Sequence, residues 1–118
     1  IDNCKDMAMA YYVSDIIISP SIEPEAFGRV AVEAQSMEKL IIASNIGGSN
    51  ETIINEKTGF LFKAGDENDL CKKIIRSITM DEMSLHLMGK EGRKNVIKKF
   101  NVEKMCFSTY SEYKRLLN

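Results

Sequence analysis

Two glutamates stand on either side of a run of small and apolar residues in the stretch EPEAFGRVAVEAQSM (23–37). Seven residues separate Glu25 from Glu33, and Gly28 and Arg29 lie between them. An ionised carboxylate only accepts hydrogen bonds, so such a pair suits a ligand that carries hydroxyl groups. The segment therefore predicts a polar binding site. The alternative is that both glutamates are solvated at the surface, where most glutamates are found.

The helical spacing of Val30, Ala34 and Met37 predicts a helix over 27–37 that begins near Gly28. The first N–H groups of that helix, about those of Gly28, Arg29 and Val30, have no partner within the helix. Together with the helix dipole they favour a bound phosphate or diphosphate. Glycine at this point removes the side chain where a ligand must approach the backbone closely.

The two glutamates would then meet different parts of one ligand. Glu25 precedes the helix, and Glu33 lies roughly 7.5 Å along its axis. A carboxylate beside a diphosphate is repelled unless it binds something else, and hydroxyl groups are the natural partners. Sugar hydroxyls on both sides of a diphosphate describe a nucleotide sugar.

Strand and helix patterns alternate along the chain, with short spacers between them. Buried strands are predicted at 15–21 and 39–44 and a third strand at 58–66; helices are predicted at 4–14, 27–37, 49–56, 66–79, 81–100 and 102–117. This order predicts a parallel sheet with helices on both faces, a three-layer α/β domain. Ligands of such sheets bind beyond the carboxyl ends of the strands, so the turns 20–28 and 45–50 should open on the same edge.

Composition excludes several classes. The chain has 118 residues, 44% hydrophobic and 28% charged, with a net charge of -1, which suits one compact domain and gives no basic excess for nucleic-acid binding. No apolar run approaches the roughly 20 residues of a membrane span. Cys4, Cys71 and Cys106 are widely spaced, which predicts reduced packing residues and no metal site. His86 is predicted to have a surface or packing role.

The segment around the two glutamates and the blocks next to it resemble those of a known family. EAFGRVAVE looks like the E-x7-E motif of retaining GT-B fold glycosyltransferases of the group 1 or family 4 type. DIIISPS, IIASNIGGSNETI and TGFLFKAGDENDL resemble the family's neighbouring blocks, in the same order and at the right spacing. The likeness is close over 12–79 and looser over the helical tail. It implies a Rossmann-like domain, the C-terminal half of such an enzyme, followed by closing helices.

The resemblance implies a role for each matching residue. Glu25 matches the first glutamate, expected to contact the donor sugar and to help stabilise charge at the anomeric carbon. Glu33 matches the second, expected on the ribose hydroxyls. The remaining expected donor-binding positions are Ala26, Phe27, Gly28, Arg29 and Val30, with Gly47 and Gly48 in a turn at the same edge. For those two glycines a structural role in a tight turn is equally consistent with the sequence.

The resemblance also implies what the full enzyme does. It would transfer a sugar of the hexose type from a nucleotide diphosphate sugar to an acceptor glycan or lipid, with retention, and without a metal or other cofactor. Residues 1–100 are expected to be part of the donor-binding domain. Residues 101–118 are expected to form a helix that crosses toward an N-terminal domain upstream of Ile1. That domain should bind the acceptor and supply an arginine–lysine pair for the diphosphate, so the 118-residue chain alone should be inactive.

Some features stay open. Glu38, Lys39 and Leu40 replace the glycine and proline that the family usually has before its next strand, which puts the geometry of this turn in question. A nucleotide-sugar epimerase of GT-B fold and a non-catalytic nucleotide-sugar-binding module are the alternatives. The expected location is the cytoplasm, with room for a peripheral contact at the inner face of the membrane through the missing half. The base, the sugar and the acceptor are not specified by the sequence.

Overall fold

The structure, a computed structural model, describes residues 4–117. Its elements are α1 (Met7–Val13), β1 (Ile16–Ser19), α2 (Arg29–Ser36), β2 (Leu40–Ser44), α3 (Ser49–Thr52), β3 (Phe60–Phe62), α4 (Glu67–Ile78), α5 (Glu82–Lys99) and α6 (Val102–Leu117). The strands form one parallel sheet in the order β1-β2-β3. The predicted alternation and the parallel sheet are confirmed. Residues 1–3 and 118, at the ends of the predicted segments 1–100 and 101–118, lie outside the described residues.

The central strand β2 carries the core. All five of its residues are buried, as a continuous apolar run in a parallel sheet requires. Its successive side chains point to opposite faces of the sheet. One face packs with α1 and α2 in a cluster of Tyr11, Ala31, Ala34, Ile41, Ala43 and Ile53. The other packs with α4 and α5 in a cluster of Leu40, Ile42, Phe60, Phe62 and Met88, with Leu70 and Ile74 beside it. Helices therefore cover both faces, as predicted.

The first strand differs from the prediction. It was expected to be buried, but Ile16 and Ile17 are only partly buried and Ile18 is 41% exposed. Among the described residues β1 pairs with β2 alone, so it is an edge strand with one open side. An apolar β-branched run is compatible with an edge strand and with a central strand, so the sequence alone does not distinguish these two positions.

Several shorter elements end earlier than predicted. β3 has three residues and α3 has four. Asp66 caps α4, since its side chain accepts a hydrogen bond from the Asp69 N–H at 3.0 Å. The apolar face that α4 buries ends before its last residue, because Ile78 is 66% exposed.

The turn between α2 and β2 keeps a tight geometry without glycine. The Lys39 N–H donates to the Ala34 carbonyl at 3.0 Å, and the Glu38 N–H donates to the Gln35 carbonyl at 3.0 Å. This is the hydrogen-bond pattern of a Schellman cap. Glu38 takes the left-handed conformation that glycine usually occupies there, with φ 58°. A glutamate in this position is therefore compatible with a tight turn between α2 and β2.

The last helix and the cysteines lie at the surface. None of the residues of α6 is buried, and its large apolar side chains, which include Phe107, Tyr110, Tyr113 and Leu117, are exposed. Its crossing to another domain stays a prediction. All three cysteines are exposed free thiols, so the predicted packing role is wrong. Within the part of the chain that the structure describes, no helix is both long and apolar enough to cross a membrane.

Candidate functional site

Two loops meet at the carboxyl edge of the sheet. One follows β1 and contains Glu25, and the other follows β2 and contains Gly48. The Gly48 N–H donates to the Glu25 carbonyl at 2.7 Å, so the two loops are joined through their backbones. The expectation that turns 20–28 and 45–50 open on one edge is therefore confirmed.

Three glycines let these loops approach each other. Gly47 has φ 55°, and a Cβ there would overlap the backbone of Glu25. A Cβ on Gly48 would overlap the carbonyl group of Phe27. Gly28 has φ 71°, and its Cβ would lie 3.0 Å from the Gly48 carbonyl carbon. The glycines are thus required by close backbone packing and by positive φ.

The helix α2 begins at this junction. The Gly28 carbonyl accepts from the N–H groups of Ala31 at 3.0 Å and Val32 at 3.2 Å. The amides of Gly28, Arg29 and Val30 therefore precede the intrahelical hydrogen bonds, as predicted. Gly28 is the N-cap residue, and no side chain caps this helix end. The first N–H groups of α2 and the positive end of its dipole therefore favour a bound anion.

Glu33 lies further along α2 and is held by two side chains. The Tyr11 hydroxyl donates to Oε2 at 2.8 Å, and Arg29 Nε donates to Oε1 at 2.7 Å. The hydrogen bond from Arg29 is the main reason that the pKa of Glu33 lies below its usual 4.5; burial opposes this shift, and the bond from Tyr11 reinforces it. Burial, followed by the bond to Glu33, raises the pKa of Tyr11 to about 12. Glu33 is thus an anion, and Tyr11 is a neutral donor.

The loop around Glu25 is open. Glu25, Ala26 and Phe27 are exposed, and Ser21 Oγ lies 3.4 Å from Glu25 Oε1 as a donor. The segment from Ser21 to Glu25 lines an open depression of about 360 Å³. The Glu25 side chain is therefore accessible at this edge of the sheet.

A larger cavity lies elsewhere. It has a volume of about 910 Å³ and is found near the amino ends of β1 and β2. Its lining includes Asp15, Glu38, Asp81 and Glu82, and none of the predicted site residues. These four carboxylates outnumber the one lysine of the lining, Lys39, and would repel a diphosphate, so the uncapped start of α2 is the better candidate site.

The structure gives Arg29 a side-chain direction that the sequence leaves unspecified. This residue was expected at the start of the helix under the phosphates, and its backbone is there. Its side chain, however, is 84% exposed and turns back to Glu33 one helical turn away. The backbone, and not the guanidinium group, is therefore what α2 presents at its first turn.

Sequence reasoning missed the residues that support the site. Tyr11 was treated only as part of a helix, although a tyrosine on a buried face needs a partner for its hydroxyl. Gln35 and Asn95 were also missed: both are buried, and their amides donate to the Thr52 carbonyl at 3.0 and 2.9 Å. They join α2 and α5 to the end of α3. A glutamine next to the buried stripe of α2 was the available signal.

The paired loops were compared with two other kinds of site, a metal site and a site built on the single histidine. No group of three or more His, Cys, Asp or Glu side chains there comes together as metal ligands. His86 is exposed on α5, away from the two loops, which fits its predicted surface role.

The chain matches one family of proteins and resembles several known proteins. Residues 2–95 match the sequence profile of the family described as "Glycosyl transferases group 1". The chain is 32% identical over 117 residues to the capsular polysaccharide biosynthesis glycosyltransferase CapM of Staphylococcus aureus, covering 99% of the chain and 30% of the relative. It is 33% identical over 91 residues to the Escherichia coli UDP-Gal:alpha-D-GlcNAc-diphosphoundecaprenol alpha-1,3-galactosyltransferase, covering 77% and 23%.

A solved structure shares the fold as well. The crystal structure of a glycosyltransferase from Rickettsia africae superposes with a TM-score of 0.91 at 40% sequence identity, over 98% of this chain and 31% of that chain. The chain therefore spans less than a third of each of these three proteins.

Proposed function

Because the chain belongs to the group 1 glycosyltransferase family, we propose that it is the donor-binding part of an enzyme that transfers a sugar from a nucleotide diphosphate sugar to an acceptor glycan or lipid. The observation that carries this proposal is the uncapped start of α2 between Glu25 and Glu33. It offers donors for a diphosphate and, on either side, carboxylates for hydroxyl groups.

The diphosphate would lie over the first turn of α2. Backbone amides of Gly28, Arg29 and Val30 would donate to its oxygens, and the helix dipole would favour its charge. The loop of Ala26 and Phe27 would line the path to the sugar, with the turn of Gly47 and Gly48 behind it. No metal is needed in this arrangement, since the amides and the basic side chains of the other domain carry the charge.

The two glutamates would have separate tasks. Glu33, held by Tyr11 and Arg29, would accept hydrogen bonds from the ribose hydroxyls of the nucleotide. Glu25, in the exposed loop, would accept from the sugar hydroxyls and stabilise positive charge that develops at the anomeric carbon. Transfer with retention and a hexose as the transferred sugar complete the proposal.

The relatives support this class of substrate. The name of the Escherichia coli relative gives UDP-Gal as its donor and a diphosphoundecaprenol-linked sugar as its acceptor. The name of the Staphylococcus aureus relative places it in capsular polysaccharide biosynthesis. A nucleotide sugar donor and a surface-glycan or lipid-linked acceptor are accordingly proposed here. The three compared proteins are glycosyltransferases, so none of them favours an epimerase.

The rest of the enzyme would complete the site. An N-terminal domain would bind the acceptor and supply the arginine–lysine pair for the diphosphate. The exposed apolar side chains of α6 would pack against that domain. We place the enzyme in the cytoplasm, with any membrane contact made through the other half.

The test compares Glu25→Gln and Glu33→Gln in the full-length enzyme. An interaction made mainly in the transition state lowers kcat when it is lost, whereas loss of uniform binding raises KM. Glu25→Gln should therefore mainly reduce kcat, and Glu33→Gln should mainly raise the KM for the donor. A hydrogen bond to a charged group contributes roughly 1.5–3 kcal/mol, or about 10- to 150-fold.

Glu23→Gln is the matched control, because Glu23 is an exposed glutamate of the same loop. Melting curves must show that all three variants are folded. Wild-type kinetics for both Glu25→Gln and Glu33→Gln would refute the donor site and return both glutamates to solvated surface positions.

A further inference from the structure

One side-chain hydrogen bond links α1 to the helix of the candidate donor site. The Tyr11 hydroxyl donates to Glu33 Oε2 at 2.8 Å, across 22 positions in the sequence. Tyr11 is only 5% exposed, and its ring packs in the cluster that contains Ala31 and Ala34 of α2. Small residues at those two positions leave room for the ring. The hydroxyl is thus delivered to the carboxylate by a side chain that has little freedom to move.

The helix that carries Tyr11 is itself held at both ends. The Asp6 side chain caps its start by accepting from the Met9 N–H at 3.0 Å. At the other end, Lys39 Nζ donates to the Tyr12 carbonyl at 2.9 Å. A cation at this position satisfies a free carbonyl and favours the negative end of the helix. Although α1 has only seven residues, these two hydrogen bonds fix its ends and so help to fix the position of the Tyr11 hydroxyl.

The hydrogen bonds around Glu33 leave capacity for a ligand. A carboxylate offers about four lone-pair directions, and Tyr11 and Arg29 use one on each oxygen. About two directions remain, which matches two neighbouring hydroxyl groups. A free glutamate side chain would lose rotamer freedom when it bound such a pair. A carboxylate already held by two donors has lost that freedom beforehand.

We propose that Tyr11 is a positioning residue that orients the Glu33 carboxylate to accept both ribose hydroxyls of the donor nucleotide. The proposal rests on the proposed function, in which Glu33 faces the ribose. It predicts that Tyr11 controls the preference for ribonucleotides over deoxyribonucleotides without touching the ligand. Since the pKa of Tyr11 is raised to about 12, it remains a donor at every pH at which the enzyme would work.

The experiment measures Kd values of the full-length enzyme by calorimetry for UDP, GDP and ADP and for their 2′-deoxy counterparts. The variants are Tyr11→Phe, which removes one oxygen and keeps the ring, and Tyr12→Phe as the matched control. Tyr12 is 69% exposed and belongs to the same helix. Tyr11→Phe should weaken binding of the preferred ribonucleotide roughly 3- to 10-fold and that of its deoxy form less than about 2-fold. Tyr12→Phe should leave both values unchanged.

The outcomes separate the two proposals. If Glu33→Gln loses the preference for ribose and Tyr11→Phe keeps it, the role of Tyr11 is refuted and the donor site stands. Equal weakening of both nucleotides in Tyr11→Phe also refutes it, because that result indicates general loosening of α2. If Glu33→Gln binds the ribonucleotide and its deoxy form like wild type, the donor site itself is wrong and Tyr11 has no such role.

A double-mutant cycle gives a second measurement. Glu33→Asp keeps the charge but shortens the reach toward the Tyr11 hydroxyl. Adding Tyr11→Phe to Glu33→Asp should then have less than about 2-fold further effect, because the bond is already lost. An equal effect in both backgrounds would refute the positioning role. All variants are measured well below their melting temperatures, so that a moderate loss of stability does not affect the comparison.

Discussion

The ring of Phe27 lies edge-on against the ring of Phe100, with the two centroids 5.5 Å apart and the planes at 82°. Phe27 belongs to the loop proposed to face the donor sugar. Phe100 is the residue at which α5 ends, just before α6 begins. The contact therefore ties the donor loop to the junction of the two C-terminal helices, and movement at that junction would be transmitted to the loop.

The first prediction concerns this contact. Phe100→Leu keeps an apolar side chain and removes the edge-to-face pair, which contributes about 0.5–1.5 kcal/mol. Donor binding by the full-length enzyme should weaken about 2- to 10-fold. Phe27→Leu should weaken it similarly, and the double variant should be no worse than the worse single variant, because the two residues act together. Additive losses in calorimetric titrations of the three variants would show that the rings act independently.

The second prediction distinguishes two reasons for a glycine. A side chain on Gly48 would overlap the backbone of Phe27, although the backbone of Gly48 is in the ordinary helical region. Gly65 has φ +76° but nothing within 4 Å of a Cβ. Gly48→Ala should therefore cost about 1–3 kcal/mol of unfolding free energy by overpacking and should also weaken donor binding. The measurement is a denaturant titration combined with a nucleotide titration.

Gly65→Ala is the control for that experiment. It should cost about 1–2 kcal/mol through its backbone conformation alone and should leave donor binding unchanged. A Gly48→Ala variant with wild-type binding would mean that the two loops can move apart without consequence for the site.

How far the sequence could predict this structure depends on the kind of signal. The strands and helices follow from hydrophobic period, and the uncapped helix start follows from Gly28 and the residues after it. The opening of turns 20–28 and 45–50 on the same edge follows from parallel topology. These features depend on local composition and on the rule for strand ends, both of which can be read along the chain.

The remaining features depend on contacts between distant parts of the chain. Nothing near Tyr11 in the sequence indicates that its hydroxyl meets Glu33, because the two lie on different helices. The direction of the Arg29 side chain was equally unspecified, since a guanidinium at a helix start can reach a ligand or the next turn. The open side of β1 depends on which strands lie beside it, and an apolar run carries no such information.

The third prediction concerns the turn after α2. Glu38 adopts φ 58°, which costs a residue with a Cβ roughly 1–2 kcal/mol relative to glycine. Its ion pair with Arg93 is long, at 3.9 Å, and the side chains are 40% and 49% exposed, so the pair adds little. Glu38→Gly should therefore stabilise the folded protein by about 1 kcal/mol and raise the Tm by a few degrees. Calorimetric unfolding measures both.

Glu56 provides the comparison for Glu38. It also has positive φ, at 66°, but its carboxylate makes a 2.6 Å ion pair with Arg76. Glu56→Gly should therefore gain less stability than Glu38→Gly. A lower Tm for Glu38→Gly than for wild type would mean that the side chain makes a larger contribution than its exposure indicates.

The fourth prediction follows from the pKa of Glu33, which the Arg29 hydrogen bond lowers below 4.5. A carboxyl group whose pKa is depressed on folding stabilises the folded state above its usual pKa and loses that contribution as the pH falls through the depressed value. Glu33 should thus stay ionised, and able to accept from ribose hydroxyls, at a pH below 4.5. In Arg29→Gln the pKa should rise, although the Tyr11 bond remains. The pH below which the nucleotide binds more weakly should therefore be higher in Arg29→Gln than in wild type.

The measurement is the Kd of the preferred ribonucleotide as a function of pH in wild type and in Arg29→Gln. Arg76→Gln is the matched control, because it removes the same charge from another exposed arginine–glutamate pair. Protonation of the nucleotide diphosphate affects all three proteins equally and cancels in the comparison. Since both arginines are largely exposed, the shift in Arg29→Gln should also shrink as salt is added. If donor binding weakens at the same low pH in Arg29→Gln as in wild type, the ionised carboxylate of Glu33 does not contribute to donor binding. A shift to higher pH in Arg29→Gln alone would assign this loss of binding to protonation of Glu33.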